Sequence, residues 1–409
     1  MAGGLTASLT AGRAGAVLFR HPALLILVLY IAARGVTTGL FLHTSAWAPA
    51  GSRFGPGASL ADYIVGWDAQ WYWLIAVEGY PADLPRDAQG TVGENAWAFM
   101  PVFPLLARAV GVPLGAWGAG GVLVALAAGY GCCVLLWMLL RERIGRIAAM
   151  WAVAFFASAP LAAMFQVAYA ETLFLLLLLW ILRCLQTRRY GWLYPAVVLM
   201  AYTRPGVLAV ALLFGLWGIW RFTQRRREQL RGREVVHILA LGALATITGF
   251  SWTFIAGLVT ADSTAYLDTE LAWRRVWVGD TGGFVPFEGW VQAAQFWFEV
   301  WGLPAWLGFV ALGLGIVVVG GLVLFEPHVA RLGIEVRLWT LSYLVYLLAV
   351  FFPQSSVFRL LFPLSPLWGA FAAPRDPIWR GSVLVLCVLG QWWWIWNMYG
   401  LGTSFWQIP

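Results

Sequence analysis

The residues best suited to chemistry lie between Gly66 and Tyr80, in the stretch GWDAQWYWLIAVEGY. It sets one carboxylate, Asp68, among Trp67, Trp71, Tyr72 and Trp73. Carboxylates are costly near a bilayer and mark function there, while aromatic rings sit at headgroup depth. An acid at that depth can take a proton from a hydroxyl on a lipid-linked substrate, with Trp67 and Tyr72 beside it as binding residues. Two roles fit Asp68 locally: a general base, or the cap of the juxtamembrane helix it begins. A phosphate on such a substrate needs cations, and guanidinium suits it because its planar fork donates two parallel hydrogen bonds. Arg359 is the first candidate and Arg204 the second; an interfacial arginine also snorkels to headgroups. Glu171, at the outer end of a predicted span, suits a sugar hydroxyl or an arginine, and a helix N-terminus favours it in any case. Arg274 and Arg275 are adjacent, so on a helix they face different ways and one is left to solvent. Asp62 is a second acid or, more simply, the cap of a loop helix. Glu78 is ten residues past Asp68, about 15 Å along a helix, so the two do not form a glycosidase pair.

These residues need a scaffold, and composition says which kind. The chain has 409 residues, 61% hydrophobic and 11% charged, with mean hydropathy +0.76. Soluble domains carry about 25% charged residues, so this is one polytopic membrane domain over residues 1–409, all-α in class. Spanning helices of about 20 apolar residues are expected near 17–42 (an uncleaved first helix), 114–140, 147–168, 170–187, 190–203, 205–222, 236–259, 303–325, 336–353, 357–373 and 380–397, about eleven in all. The stretch 98–112 is broken by Pro101 and Pro104 and reads as a re-entrant or interfacial helix.

All 26 basic residues are arginine. They cluster between spans, at Arg13 and Arg20, Arg141 to Arg146, Arg183 to Arg189, Arg221 to Arg233, Arg331 and Arg337, and Arg375 and Arg380. The acids Asp62, Asp68, Glu78, Asp83, Asp87, Glu94, Asp262, Asp268, Glu270, Asp280 and Glu288 gather on the other side. The positive-inside rule then makes the N-terminus cytoplasmic in a plasma membrane. It leaves two long outer loops, 43–113 and 260–302, both rich in Trp and Tyr. The net charge of +7 sits in short interhelical clusters, which gives no nucleic-acid site. The four Cys and four His have no metal-ligand spacing, so no metal is expected. There is no P-loop or dinucleotide fingerprint, so no nucleotide cofactor is expected. Broken helices in matching halves, the mark of an inverted-repeat transporter, are not evident.

Five blocks resemble one family. Trp67-Asp68-Ala69, Ile75-Ala76 and Gly79-Tyr80 match a WDA…IA..GY pattern. Phe99 to Leu106 (FMPVFPLL), Ala168 to Phe174 (AYAETLF), the turn Thr203-Arg204-Pro205-Gly206 and Ser356 to Leu364 (SVFRLLFPL) follow in order. Together they are similar to PIG-V-type mannosyltransferases (the GPI mannosyltransferase 2 family) and their bacterial relatives, within the GT-C class. Pro205 departs from the family's turn. The resemblance implies an inverting transfer of mannose from a polyprenyl-phosphate-mannose donor to a lipid- or glycan-linked acceptor outside the cytoplasm, with Asp68 as base. The same chemistry with another polyprenyl-phosphate sugar, and transport of a lipid-linked saccharide, are the rival readings.

Overall fold

A chain this apolar must satisfy its backbone hydrogen bonds internally, and helices do that within one segment. The computed structural model describes residues 21–279, 282–404 and 407–409, and these contain helices and no strand; one isolated bridge joins Arg86 and Val92 in the first loop. Arg13, Arg20 and Asp280 lie outside the described residues. The α-helices are α1 (Pro22–Trp47), α2 (Leu60–Ile64), α3 (Asp68–Glu78), α4 (Val102–Gly111), α5 (Trp117–Ile144), α6 (Arg146–Ala157), α7 (Glu171–Gln186), α8 (Leu193–Ala201) and α9 (Val207–Gln224). They continue as α10 (Gly232–Thr260), α11 (Ala265–Val278), α12 (Glu288–Val300), α13 (Ala305–Phe325), α14 (Pro327–Ala330), α15 (Ile334–Val350), α16 (Val357–Leu360), α17 (Trp368–Ala372) and α18 (Pro377–Ile395).

Six helices among the described residues are long and apolar enough to cross a bilayer: α1, α5, α9, α10, α13 and α18 with the turn after it. The protein is therefore a multi-pass membrane protein. Other expected spans are shorter: α7 has 16 residues and α15 has 17. The expected span 357–373 is not one helix. It divides into α16, a 3-10 turn over Phe362–Leu367 and α17. Pro363 and Pro366 each remove a backbone donor, so the segment cannot hold a continuous α ladder. The stretch 98–112 forms the short α4, with Pro101 at its N-cap and Leu105, Leu106 and Val112 exposed.

The core is built from α5, α6 and α7 with α1, α4, α8, α9 and α15 around them. Arg34 of α1 is buried and donates to the carbonyls of Ala157 and Ala162. It thereby satisfies one acceptor at the end of α6 and one in the 3-10 turn that follows. Helix α4 approaches the backbone of α5 closely at Gly120. A Cβ there would stand 2.1 Å from the Ala107 carbonyl and 2.4 Å from the Gly111 nitrogen. Backbone cannot swing aside as a side-chain tip does, so Gly120→Ala should cost about 1–3 kcal/mol, read as a lower melting temperature in detergent. The Val102 N–H donates to the Tyr202 carbonyl at 2.9 Å, so the same helix holds the turn that carries Arg204.

Candidate active site

Asp68 is placed by an unusual backbone. Trp67, just before α3, has φ 53° and ψ −127°, a region a bulky residue rarely adopts, at a cost of about 1–3 kcal/mol. Contacts hold it there. Its indole N–H donates to the Met398 carbonyl at 3.0 Å, and the Arg53 guanidinium lies 4.2 Å from its ring centre. Trp67 is thus tied to the chain's C-terminal turn. Asp68 then starts α3 without making a capping hydrogen bond; its Oδ2 accepts from Arg359 Nη1. Asp62, by contrast, closes a capping box with Ser59 on α2, which is a structural role.

Arg359 is positioned by α15. The Tyr343 hydroxyl donates to the Leu360 carbonyl at 2.7 Å, and the Trp339 indole donates to the Pro363 carbonyl at 2.9 Å. From there the guanidinium reaches two acids: Asp68, and Glu171 with Nε 3.4 Å from Oε1. Glu171 begins α7, is only 2% exposed, and is also 3.3 Å from Arg204 Nη1. Arg204 sits between α8 and α9, where Gly206 has φ 141° and a Cβ would meet Phe174 at 2.9 Å. A side chain at Gly206 would therefore move the turn. The four charges alternate as Asp68, Arg359, Glu171, Arg204. Tyr72 is buried against Phe99 and Phe103, and all four charges act on its hydroxyl; burial first, then Glu171, pushes that hydroxyl well above its usual range.

Burying charge costs several kcal/mol per ion unless pairing is good, yet pairing here is incomplete. Glu171 Oε2, Arg204 Nη1 and Arg359 Nε are buried with no well-formed hydrogen bond among the described residues. Buried polar atoms normally have partners, so the cluster keeps capacity for another polar group. Among the described residues no three His, Cys, Asp or Glu side chains converge as metal ligands would.

Arg274 and Arg275 correct an expectation, for neither is left to solvent. Arg274 is buried and pairs with Glu288 at 2.9 Å, and Arg275 pairs with Asp268 at 3.2 Å. Both guanidiniums knit the segment 260–302 together, because its own acids lie two turns or one helix away.

Other residues at the site were not singled out from sequence. The Tyr169 ring lies 5.6 Å from the Arg359 guanidinium, and its hydroxyl donates to the Gly66 carbonyl at 3.4 Å. Glu94, in the loop after α3, is pushed upward by burial and then by the charge of Asp68. Glu270 on α11 bonds Tyr266 one turn before it and lies close enough to Arg204 to feel its charge. The i, i+4 spacing of Tyr266 and Glu270 was the available signal.

Glu270 is accessible to water yet enclosed by protein, and desolvation pushes its carboxyl up to about 7, opposed by Tyr266 and Arg204. An acid raised in the folded state binds more protons there than when unfolded, so stability falls as pH rises from about 4.5 through 7. The wild type should melt lower at pH 8 than at pH 5, and Glu270→Gln should flatten that slope. Because the residue is exposed, solvent screening makes the effect smaller than full burial would give.

The chain matches no known family model and no curated protein sequence. Among solved structures it is similar to ArnT from Cupriavidus metallidurans bound to undecaprenyl phosphate, at 15% identity and a TM-score of 0.47. The match covers 88% of this chain and 62% of that one, so the chain spans less than two thirds of that structure's length.

Proposed function

We propose that this protein is an inverting, polyprenyl-phosphate-sugar-dependent glycosyltransferase of the GT-C class. It moves mannose from a polyprenyl-phosphate-mannose donor to a lipid- or glycan-linked hydroxyl on the outer face of the plasma membrane. One observation carries the reading. Four of the sequence blocks that resemble the PIG-V family, far apart along the chain, contribute Asp68, Glu171, Arg204 and Arg359 to a single ion-paired cluster. Residues with only local roles have no reason to meet in this way.

The chemistry follows from the groups. Asp68 accepts the proton of the acceptor hydroxyl while that oxygen bonds to the anomeric carbon. The bond from that carbon to the phosphate oxygen breaks on the opposite face, and the polyprenyl phosphate leaves with the electron pair. Arg359 and Arg204 stabilise the charge that grows on the phosphate, where preorganised cations in a dry site act strongly. In the resting chain Arg359 holds Asp68; a bound phosphate competes for that guanidinium and leaves the carboxylate open to the hydroxyl. Glu171 orients both arginines.

The test gives the purified protein tritium-labelled polyprenyl-phosphate-mannose with an acceptor extract of membrane lipid and glycan. Label should pass into a new covalent product, and excess unlabelled polyprenyl-phosphate-glucose or polyprenyl-phosphate-arabinose should not suppress it. Suppression by one of those donors would change the sugar. Label that crosses a vesicle membrane without a new covalent bond would replace transfer by transport.

A further inference from the structure

The opposite end of the helix bundle holds a second polar site that the transfer chemistry does not use. A cavity of about 850 Å³ opens between the α7–α8 connection and the start of α10, lined by Arg188, Arg189, Trp192, Arg231, Arg233 and His237 among others. It lies one length of α9 from Arg204, which for 18 residues is about 27 Å.

Its floor is rigid. Arg221 is fully buried and pairs with Glu234 at 2.7 Å and Glu228 at 3.0 Å. Glu234 also accepts from the Tyr190 hydroxyl at 2.8 Å. The Tyr190 ring stacks on His237, whose Nδ1 is 3.0 Å from the Tyr194 hydroxyl. Glu234 is the cavity's one lining carboxylate, and Arg221 occupies its charge. Arg188, at φ 54°, pairs with Glu228. That leaves Arg189, Arg231 and Arg233 without an ion-pair partner among the described residues. Arg231 is also the N-cap of the 29-residue α10 and gives it no side-chain cap, so the first N–H groups of that helix add positive potential.

These three arginines are exposed to solvent at the cavity's mouth, and together they suit an anion with several oxygens. The position says which kind. Trp192 lines the cavity and is 62% exposed, and Val236 and Leu239, in the first two turns of α10, are 64% and 68% exposed. Apolar exposure of that extent on a spanning helix faces acyl chains. We propose that this cavity binds the phosphate-bearing headgroup of an anionic phospholipid, with its acyl chains along Val236 and Leu239. The site is separate from the donor site and holds the loop between α9 and α10 in place.

The experiment uses the full chain in nanodiscs of phosphatidylcholine, with and without phosphatidylglycerol, and reads retained lipid by native mass spectrometry together with melting temperature. Wild type should retain phosphatidylglycerol and melt higher with it. Arg231→Gln/Arg233→Gln should lower that affinity about thirtyfold, the scale of two arginines near an anionic surface. Arg226→Gln/Arg227→Gln, which removes two charges from the same basic run outside the cavity, should lower it far less. Because the readout is the difference between the two lipids, a less stable variant still reports. Equal losses in both pairs would mean a diffuse basic surface and overturn the site. Competition by glycerol 1-phosphate as strong as by the lipid would overturn the lipid as ligand.

Discussion

On the proposed mechanism, Asp68→Asn should lower the rate of sugar transfer by about a hundredfold or more, the scale of a lost general base. The substitution keeps size and shape and still offers Arg359 an amide oxygen in place of Oδ2. It removes the group that the proposed mechanism uses to take the hydroxyl proton, so the loss should fall on kcat. Donor binding behaves differently. Without Asp68, Arg359 and Arg204 face Glu171 alone, and a donor phosphate meets one less competitor; the donor KM stays level or falls. Such a split separates a base from a residue that merely holds the site together, whose loss would raise KM and lower the melting temperature. Equal turnover in wild type and variant would end the base assignment and move attention to Glu94 and Glu270.

Arg359→Ala should have the second largest effect, and it should appear in stability as well as in transfer. Arg359 is the only described link between Asp68 and Glu171. Its removal leaves a carboxylate 2% exposed beside a single arginine 3.3 Å away. Breaking a buried pair by removing one partner costs about 3–5 kcal/mol. Asp68 has 24% of its side chain exposed, so water offsets part of its share and the total falls toward the lower figure. Donor KM should rise, since the phosphate loses its first cation. Arg359→Lys keeps the charge but not the fork, and should recover stability more than transfer. A double-mutant cycle of Arg359→Ala with Glu171→Gln should show coupling above about 0.5 kcal/mol, as residues of one network do. If Arg359→Ala melts like wild type and keeps its donor KM, the four charges do not act as a unit.

Much of this protein could be read locally. Runs of apolar residues must become helices in a bilayer, because no other local structure hides its own backbone; α5, α10 and α13 lie close to where hydropathy puts them. Ser59 and Asp62 announce their own capping box. Hydropathy failed at 357–373, where a sum over the segment hides what Pro363 and Pro366 do to the ladder. The candidate residues also stood out singly, as charges in apolar surroundings. Their arrangement did not. Arg359 meets Asp68 across 291 positions, and Trp67 is held by Met398 across 331. Ion pairing depends on distances of a few ångströms between side chains, and periodicity along one helix carries no record of which helix stands opposite. Local sequence therefore determined the helices and the inventory of charges; the packing of α3, α7, α9 and α15 decided that four of those charges share one site.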